Sequence, residues 1–478
     1  MQPESPKNPP AQPDAAGPVH DAPRDPDFFS HIHEELSNGR MWLDRGIVLA
    51  YAVVAGLCVV GFTVASEWAF SQFESLHEER QWLVLIWIPA WTAAIVWFTR
   101  RWVPTAGGSG IPQVMAALDP ALPPARRHAF TSIRISLAKI GLSSAGLLAG
   151  LSIGREGPSV QVAAGIMQNA RMWLRPNSGI SEHALLVAGG AAGIAAAFNA
   201  PLAGVVFAIE ELSRRLESRN SGLIIAAIVL AGLMGVSAFG NLSYFGVIRV
   251  PTLSWGALAP GLLVILVSGL LGGLFARLLT ASLTGLSPDR FTAWRKRFPV
   301  RFAAAGGLAV AVIGLVSDGT TFGSGSETVQ HMLAGHADVP TLYVMLKFMA
   351  TWLTAWTGVP GGIFAPSLSI GAGIGHDIAA LLGMNGAGGI SPALIAMGMA
   401  GFLAAVTQAP LTSFIIVMEM VDGHAMVLSL MAAAMLASLV SRMISRPLYA
   451  VLAQHMLAPF HPPAPEPTRP PQAPPPAP

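Results

Sequence analysis

Long apolar runs alternate in this chain with apolar runs too short, or too broken by Gly and Pro, to cross a membrane. Crossing a hydrocarbon core about 30 Å thick takes ~20 helical residues. Runs of sufficient length are expected at about 46–74, 83–99, 130–150, 222–240, 254–284, 302–317, 341–356 and 425–441. Between them lie the short segments 109–118, 156–172, 201–213, 364–382 and 410–421. A half-crossing helix leaves polar backbone ends at membrane depth, so it survives only inside protein or against a wet cavity. Interrupted segments at matching positions in two halves are the mark of a transporter's ion site. The chain is 53% hydrophobic and 11% charged, against about 25% charged in a soluble domain. An all-α polytopic membrane protein is therefore expected.

The two halves do match. Within "VAGGAAGIAAAFNAPLAGVVFAIEEL" (187–212) and "IAMGMAGFLAAVTQAPLTSFIIVMEM" (395–420) the residues match without a gap at an offset of 209. Ala195, Pro201, Leu202 and Glu210 thereby pair with Ala404, Pro410, Leu411 and Glu419. "GREGPSVQVAAGI" (154–166) overlays "GIFAPSLSIGAGI" (362–374) at nearly the same offset. An internal duplication is expected, with a first membrane repeat at 41–245 and a second at 246–458.

The remaining segments are tails. Residues 1–26 are rich in Pro, Ala and Asp and are expected to be disordered. Residues 25–45 read as an amphipathic cytoplasmic helix, so 1–40 forms a cytoplasmic N-terminal segment. Residues 459–478 form a Pro-rich tail of polyproline type. No cleavable signal peptide is expected, because the N-terminus lacks an apolar core. Basic clusters at Arg100–Arg101, Arg126–Arg127, Arg214–Arg215 and 289–301 mark the cytoplasmic side. Both termini are expected there too. The net charge of +2 carries no nucleic-acid signature, and the single Cys58 excludes an intrachain disulfide framework. "HIHEE" (31–35) reads as a solvated helix face and not a metal site; His183 and His376 read as helix-end residues.

Three short helices open on Gly/Pro-punctuated loops: "GGSGIPQ" (107–113), "GREGPSV" (154–160) and "GGIFAPSL" (361–368). Gly permits unusual backbone angles and Pro suits a first helical turn. A helix start offers unpaired N–H groups and partial positive charge, which together attract anions. One helix dipole is worth about 0.3–2 kcal/mol and each hydrogen bond to a charge about 1.5–3. One start cannot hold a dehydrated ion, whereas several starts with hydroxyls in a partly wet cavity can. Lys and Arg are scarce inside the spans, which suits an ion that must also leave.

"GSGIP", "GREGP" and "GGIFAP", in this order and at these separations, resemble the signature motifs of the CLC family of chloride channels and proton-coupled chloride exchangers. The resemblance covers residues 40–458. It implies two inverted-topology repeats with half-spanning broken helices, in a homodimer with one pore per subunit. It implies a bacterial cell membrane, chloride and protons as the transported species, and no cofactor or metal. Gly108, Gly110, Pro112, Gly154, Arg155, Gly157 and Pro158 are the motif positions of the first two loops. Ser109 and Tyr449 match the hydroxyls that hold the central chloride, and Gly362, Ile363 and Phe364 the backbone that faces it. Glu156 matches the gating glutamate, and Glu211 the internal proton-transfer glutamate, with Glu210 its more structural neighbour. A carboxylate at Glu211 favours proton-coupled exchange over a passive voltage- or pH-gated channel.

Bland readings stand beside these. Arg155 and Glu156 can form a structural ion pair, Ser109 can be a helix N-cap, and Tyr449 can be an interfacial aromatic. "GGSG" (107–110) also satisfies the short string of rhomboid-type intramembrane serine proteases. Such a protease needs a membrane-embedded His as base, which the sequence does not supply convincingly. Fluoride-handling relatives depart from the Ser109 and Tyr449 pattern.

Overall fold

The structure, a computed structural model, describes residues 39–213, 220–240, 245, 255–285, 289–335, 339–340, 342–384 and 390–460. The expected disordered N-terminus, the 31–35 stretch, Arg214–Arg215 and residues 461–478 lie outside these, as does 25–45 up to residue 38. Residues from Asp44 onward form one unit.

Among the described residues all regular structure is helical. The first half runs α1 (Gly39–Glu79), α2 (Val84–Trp102), α3 (Ile111–Leu118), α4 (Ile133–Leu148), α5 (Glu156–Asn169), α6 (Glu182–Ala197), α7 (Pro201–Phe207) and α8 (Ser221–Phe239). The second half repeats the succession. It runs α9 (Leu258–Thr284), the surface helix α10 (Arg290–Arg297), α11 (Pro299–Val316), α12 (Ser326–Leu333), α13 (Tyr343–Thr357), α14 (Phe364–Leu381), α15 (Ser391–Thr407), α16 (Pro410–Met420) and α17 (Val427–Arg442). A final helix, α18 (Leu448–Leu457), is outside the repeat.

Six helices are long and apolar enough to cross a membrane: those in Gly39–Glu79, Gln81–Trp102, Ser221–Phe239, Leu258–Thr284, Pro299–Val316 and His424–Arg442. The runs at 130–150 and 341–356 differ from expectation. Their helices, α4 and α13, have only 16 and 15 residues, about 24 Å at 1.5 Å per residue. In the first run residues 130–132 and 149–150 lie outside the helix, whereas α13 begins at Tyr343 and runs one residue past the second. His183 lies in the first turn of α6 as expected, but His376 sits inside α14, more than a turn from either end.

The repeats pack alike. α5 lies along α6, and α14 along α15. Contact is close enough that a Cβ at Gly193 of α6 would come within 2.5 Å of the Ser159 carbonyl oxygen. The starts of α7 and α16 meet at a reciprocal clamp. Glu210 accepts the N–H groups of Leu411 and Thr412 at 3.0 and 2.7 Å. Glu419 accepts those of Leu202 and Ala203 at 3.2 and 2.7 Å. Each carboxylate thus caps the helix start of the other repeat, where orphan N–H groups and the macrodipole favour an anion.

Glu419→Ala leaves the first N–H groups of α7 without acceptors, and charge-assisted bonds of this kind are worth about 1.5–3 kcal/mol each. A clear fall in the thermal unfolding temperature in detergent is expected. An unchanged melt would mean that the clamp carries no load.

Candidate anion site between two cavities

The three motif loops are held together by their own backbones. Gly154 and Gly362 each donate an N–H to the other's carbonyl at 2.8 Å, an antiparallel bridge between the repeats. Gly361 donates to the Gly108 carbonyl at 3.1 Å, and Gly108 pairs in parallel with Pro360. These bonds satisfy irregular backbone that lipid could not. Close approach fixes the glycines. Gly110 has φ +112°, and a Cβ there would lie 2.6 Å from the Gly157 carbonyl. A Cβ at Gly157 would collide with Ser109 Oγ.

Behind the loops stand two buried lysines that the sequence reading passed over. Lys139 of α4 donates to the carbonyls of Ala106 and Gly108 at 2.8 and 2.6 Å. Lys347 of α13 donates to Thr321, Phe322 and Gly323 at 3.0, 3.3 and 2.9 Å. Both are fully buried. A signal was available: each is a lone Lys in an apolar run, separated by nearly the repeat offset. "GSG" at 323–325 likewise repeats "GSG" at 108–110. The scarcity of cations inside the spans therefore has two buried exceptions, Lys139 and Lys347, and both are tied down by carbonyls.

Three helix starts converge through these loops. At α3 the Gln113 side chain accepts the Gly110 N–H at 2.9 Å and donates to the Gly107 carbonyl at 2.5 Å. The cap is thus Gly110 with Gln113, not Ser109. The Ser109 hydroxyl is buried near that of Tyr449, and neither makes a well-formed hydrogen bond within the protein. Buried hydroxyls without partners take water or a ligand. The Tyr449 ring stacks on Phe364, centroids 6.0 Å apart and planes 9° from parallel. Phe364 opens α14, with Ile363 as its N-cap.

Glu156 is the first residue of α5 and is 2% exposed. Its carboxylate accepts the backbone N–H of Ala365, in the first turn of α14, besides N–H groups of its own loop. One side chain therefore lies on two helix starts, α5 and α14, while its Oε2 has no partner of its own. Gly157 and Pro158 follow in the same first turn. Arg155 reaches out of the motif to Glu67 of α1, 2.9 Å away. That bond anchors the loop to α1, a partner other than Glu156.

Glu210 and Glu211 lie in a π-turn, Ala208–Leu212, that ends the α7 segment. Such turns rotate successive side chains onto different faces and recur at functional sites. Glu210 is engaged in the clamp, whereas the charges of Glu211 and Glu156 both reach Tyr449.

Two cavities approach this centre. One of about 350 Å³ reaches Ser109, Ile363 and Tyr449, and Arg100, Arg295 and His455 stand on its wall. Burial, with Arg100 nearby, holds the Arg295 guanidinium below its ordinary range. The other cavity, about 930 Å³, reaches Arg155 and Glu67.

Helix starts from two inverted repeats, meeting around buried hydroxyls between two cavities, define a polytopic membrane protein with a candidate internal site for a small ion. The sequence model of the voltage gated chloride channel family matches residues 91–442, and the chain belongs to that family, the CLC proteins. It is 30% identical over 425 residues to the H(+)/Cl(-) exchange transporter ClcA of Vibrio vulnificus (strain YJ016), covering 84% of this chain and 88% of that one. To ClcA of Citrobacter koseri it is 31% identical over 411 residues, 80% and 82% of the two chains. Its structure is similar to that of a slow cyanobacterial Cl-/H+ antiporter, with a TM-score of 0.71, 25% identity and coverage of 87% and 98%. The fold alone is shared with a CLC-type fluoride/proton antiporter, with a TM-score of 0.68, 20% identity and coverage of 90% and 99%.

Lys139→Met strands two loop carbonyls behind Ser109. A buried polar group left unpaired costs about 1–3 kcal/mol. A lower unfolding temperature is therefore expected. If Lys139→Met melts like the parent, the lysine does not hold the loop.

Proposed function

We propose that this chain exchanges chloride for protons across a bacterial cell membrane, as a homodimer with one pathway in each subunit. The observation that carries this is the place of Glu156: one protonatable carboxylate lying on two helix starts between two cavities. Ionised, it is an anion in an anion site and blocks the path. Protonated, it loses most of its attraction to the N–H groups, swings away and admits chloride. Proton and chloride thereby compete for one place.

In this mechanism Ser109 and Tyr449 hold the central chloride by their two hydroxyls. Ile363 and Phe364 contribute backbone N–H groups at the start of α14, and Gly362 allows the ion to approach. Glu211 passes protons to and from the side of the basic cavity, and Glu210 keeps the π-turn in register through its clamp. The ClcA relatives support exchange rather than passive conduction, as does the carboxyl group retained at Glu211. Among protein groups, chloride and protons are the only species the site needs to handle, and no cofactor enters. The basic cluster at 289–301 supports a cytoplasmic position for the basic cavity by the positive-inside rule.

Dimerisation is favoured by the clamp. The short helices α7 and α16 leave Leu202, Ile209 and Leu411 exposed, and the clamp bonds at Leu202 and Leu411 are exposed too. Half-spanning helices bare to lipid are not stable at membrane depth, and a second copy of the same face would cover them.

The test is proton movement in proteoliposomes under an imposed chloride gradient. The parent protein is expected to drive protons uphill. Glu156→Gln is expected to keep chloride flux and lose both proton coupling and pH dependence. Glu211→Gln is expected to lose proton movement while sparing chloride. Tyr449→Phe is expected to weaken chloride binding by about tenfold or more, the loss of one hydrogen bond to a charge. Uphill proton movement by Glu156→Gln would overturn the assignment.

A further inference from the structure

The two cavities carry opposite charge. On the wall of the smaller one stand Arg100, Arg295 and His455, and no described lining residue there is acidic. The larger cavity is lined by Glu67, Glu74, Glu78, Asp318 and Glu327. Among the described lining residues Arg155 is the one permanent cation, and His77 and His331 are the remaining titratable groups. For a pathway that conducts anions, a wall of five carboxylates is an obstacle unless those groups serve another ion.

Their placement is ordered. Thr63, Glu67, Phe70, Glu74 and Glu78 fall three or four residues apart, so one face of α1 lines the cavity from its floor to its rim. From Glu67 to Glu78 that face rises about 16 Å. At its lower end Glu67 bonds Arg155, the neighbour of Glu156 in sequence. Thr63 is 2% exposed, lines the same cavity, and its hydroxyl has no hydrogen-bond partner. That hydroxyl is a place for water or a hydrated ion. Higher up, the Glu74 and Glu327 carboxyls meet at hydrogen-bonding range across α1 and α12. A hydrogen bond between two carboxyl groups needs a proton on one of them.

The geometry points to the Glu74–Glu327 pair as a proton-loading station, with the acidic face of α1 as the collector that feeds Glu156. This rests on the exchange reading above. Physical need supports it. At the diffusion limit of about 10⁹–10¹⁰ M⁻¹s⁻¹, water at about pH 7 brings a single buried acid only ~10²–10³ protons per second. A cleft lined by one sign of charge raises the local concentration and on-rate of the opposite ion by about 10–10³. The proton leaves water for the shared Glu74–Glu327 site, and passes through cavity water to the Glu156 carboxylate. Only O–H bonds form and break, and the pair returns to its anionic form. Loading also removes one negative charge from the wall, which eases the passage of chloride through the same cavity. Chloride is gathered at the basic cavity and protons at the acidic one, as an exchanger moving them in opposite directions requires.

The test uses the full chain in liposomes and the variants Glu74→Gln, Glu327→Gln and the double variant, with Glu78→Gln at the exposed rim as a fold-neutral companion. The double variant is expected to keep the parent's proton-to-chloride ratio. Its proton flux near neutral pH should fall by about tenfold, with the rate profile displaced toward acid, and Glu78→Gln should show the same displacement in smaller degree. Raising inert salt from about 10 to about 150 mM shortens the Debye length from ~30 to ~8 Å, so it should slow the parent and leave the double variant nearly unchanged. An unaltered pH profile in the double variant and in Glu78→Gln, with the parent coupled, overturns the station alone. A loss equal at every pH and salt concentration overturns it too, by making the pair structural. A parent that moves no protons overturns the exchange reading, and the station with it.

Discussion

Unpaired N–H groups at helix starts, held at membrane depth, are the constraint on which the rest of this structure depends. In lipid every such group must find an acceptor, and the chain answers in two ways. At α7 and α16 it supplies permanent acceptors, the carboxylates of Glu419 and Glu210. At α5 and α14 the acceptor is Glu156, which in the proposed mechanism is protonated and leaves. The same physics thus serves a clamp where each carboxylate accepts two N–H groups of one helix start, and, in the proposed mechanism, a gate where one carboxylate lies on two starts.

Holding several helix starts in register needs a rigid frame, and the duplication provides it. The two-way bridge between Gly154 and Gly362 ties the repeats at the site itself. Lys139 and Lys347 perform the same task behind each Gly-Ser-Gly loop, one in each repeat. A buried ammonium is costly unless fully bonded, and here two or three carbonyls surround each one. The lysines therefore brace the loops, with their donors turned onto backbone rather than into the ion's path.

Much of this was legible in the sequence because it rests on local chemistry. Gly and Pro at 107–113, 154–160 and 361–368 announce the helix starts, and the offset alignment announces the repeat. Glu210 and Glu419 could be paired as equivalents, but their crossing onto each other's helices could not, since an alignment gives correspondence and not contact. The π-turn at Ala208–Leu212 was hidden for a similar reason: its residues suit an ordinary helix, and tertiary packing decides otherwise. Lengths misled at α4 and α13, whose runs read as spans but whose helices have only 16 and 15 residues. The Arg155 bond to Glu67 was hidden because Glu67 lies 88 residues away in sequence.

The acidic cavity was invisible for a further reason. Its charges come from α1, from the turn after α11 and from α12, and no window of the sequence brings them together. A bulk charge of +2 averages a basic cavity and an acidic one into near neutrality. For the proposed exchange of an anion for a cation, the informative quantity is how charge is divided between the two approaches to the proposed gate. Chloride near five carboxylates is disfavoured and a proton is favoured, while near Arg100 and Arg295 the preference is reversed. Gradients fix the direction of net flow, since no fixed charge can, but the walls fix how readily each ion is captured from each side. On this reading the proposed gate at Glu156 works between two solutions that the protein has already sorted.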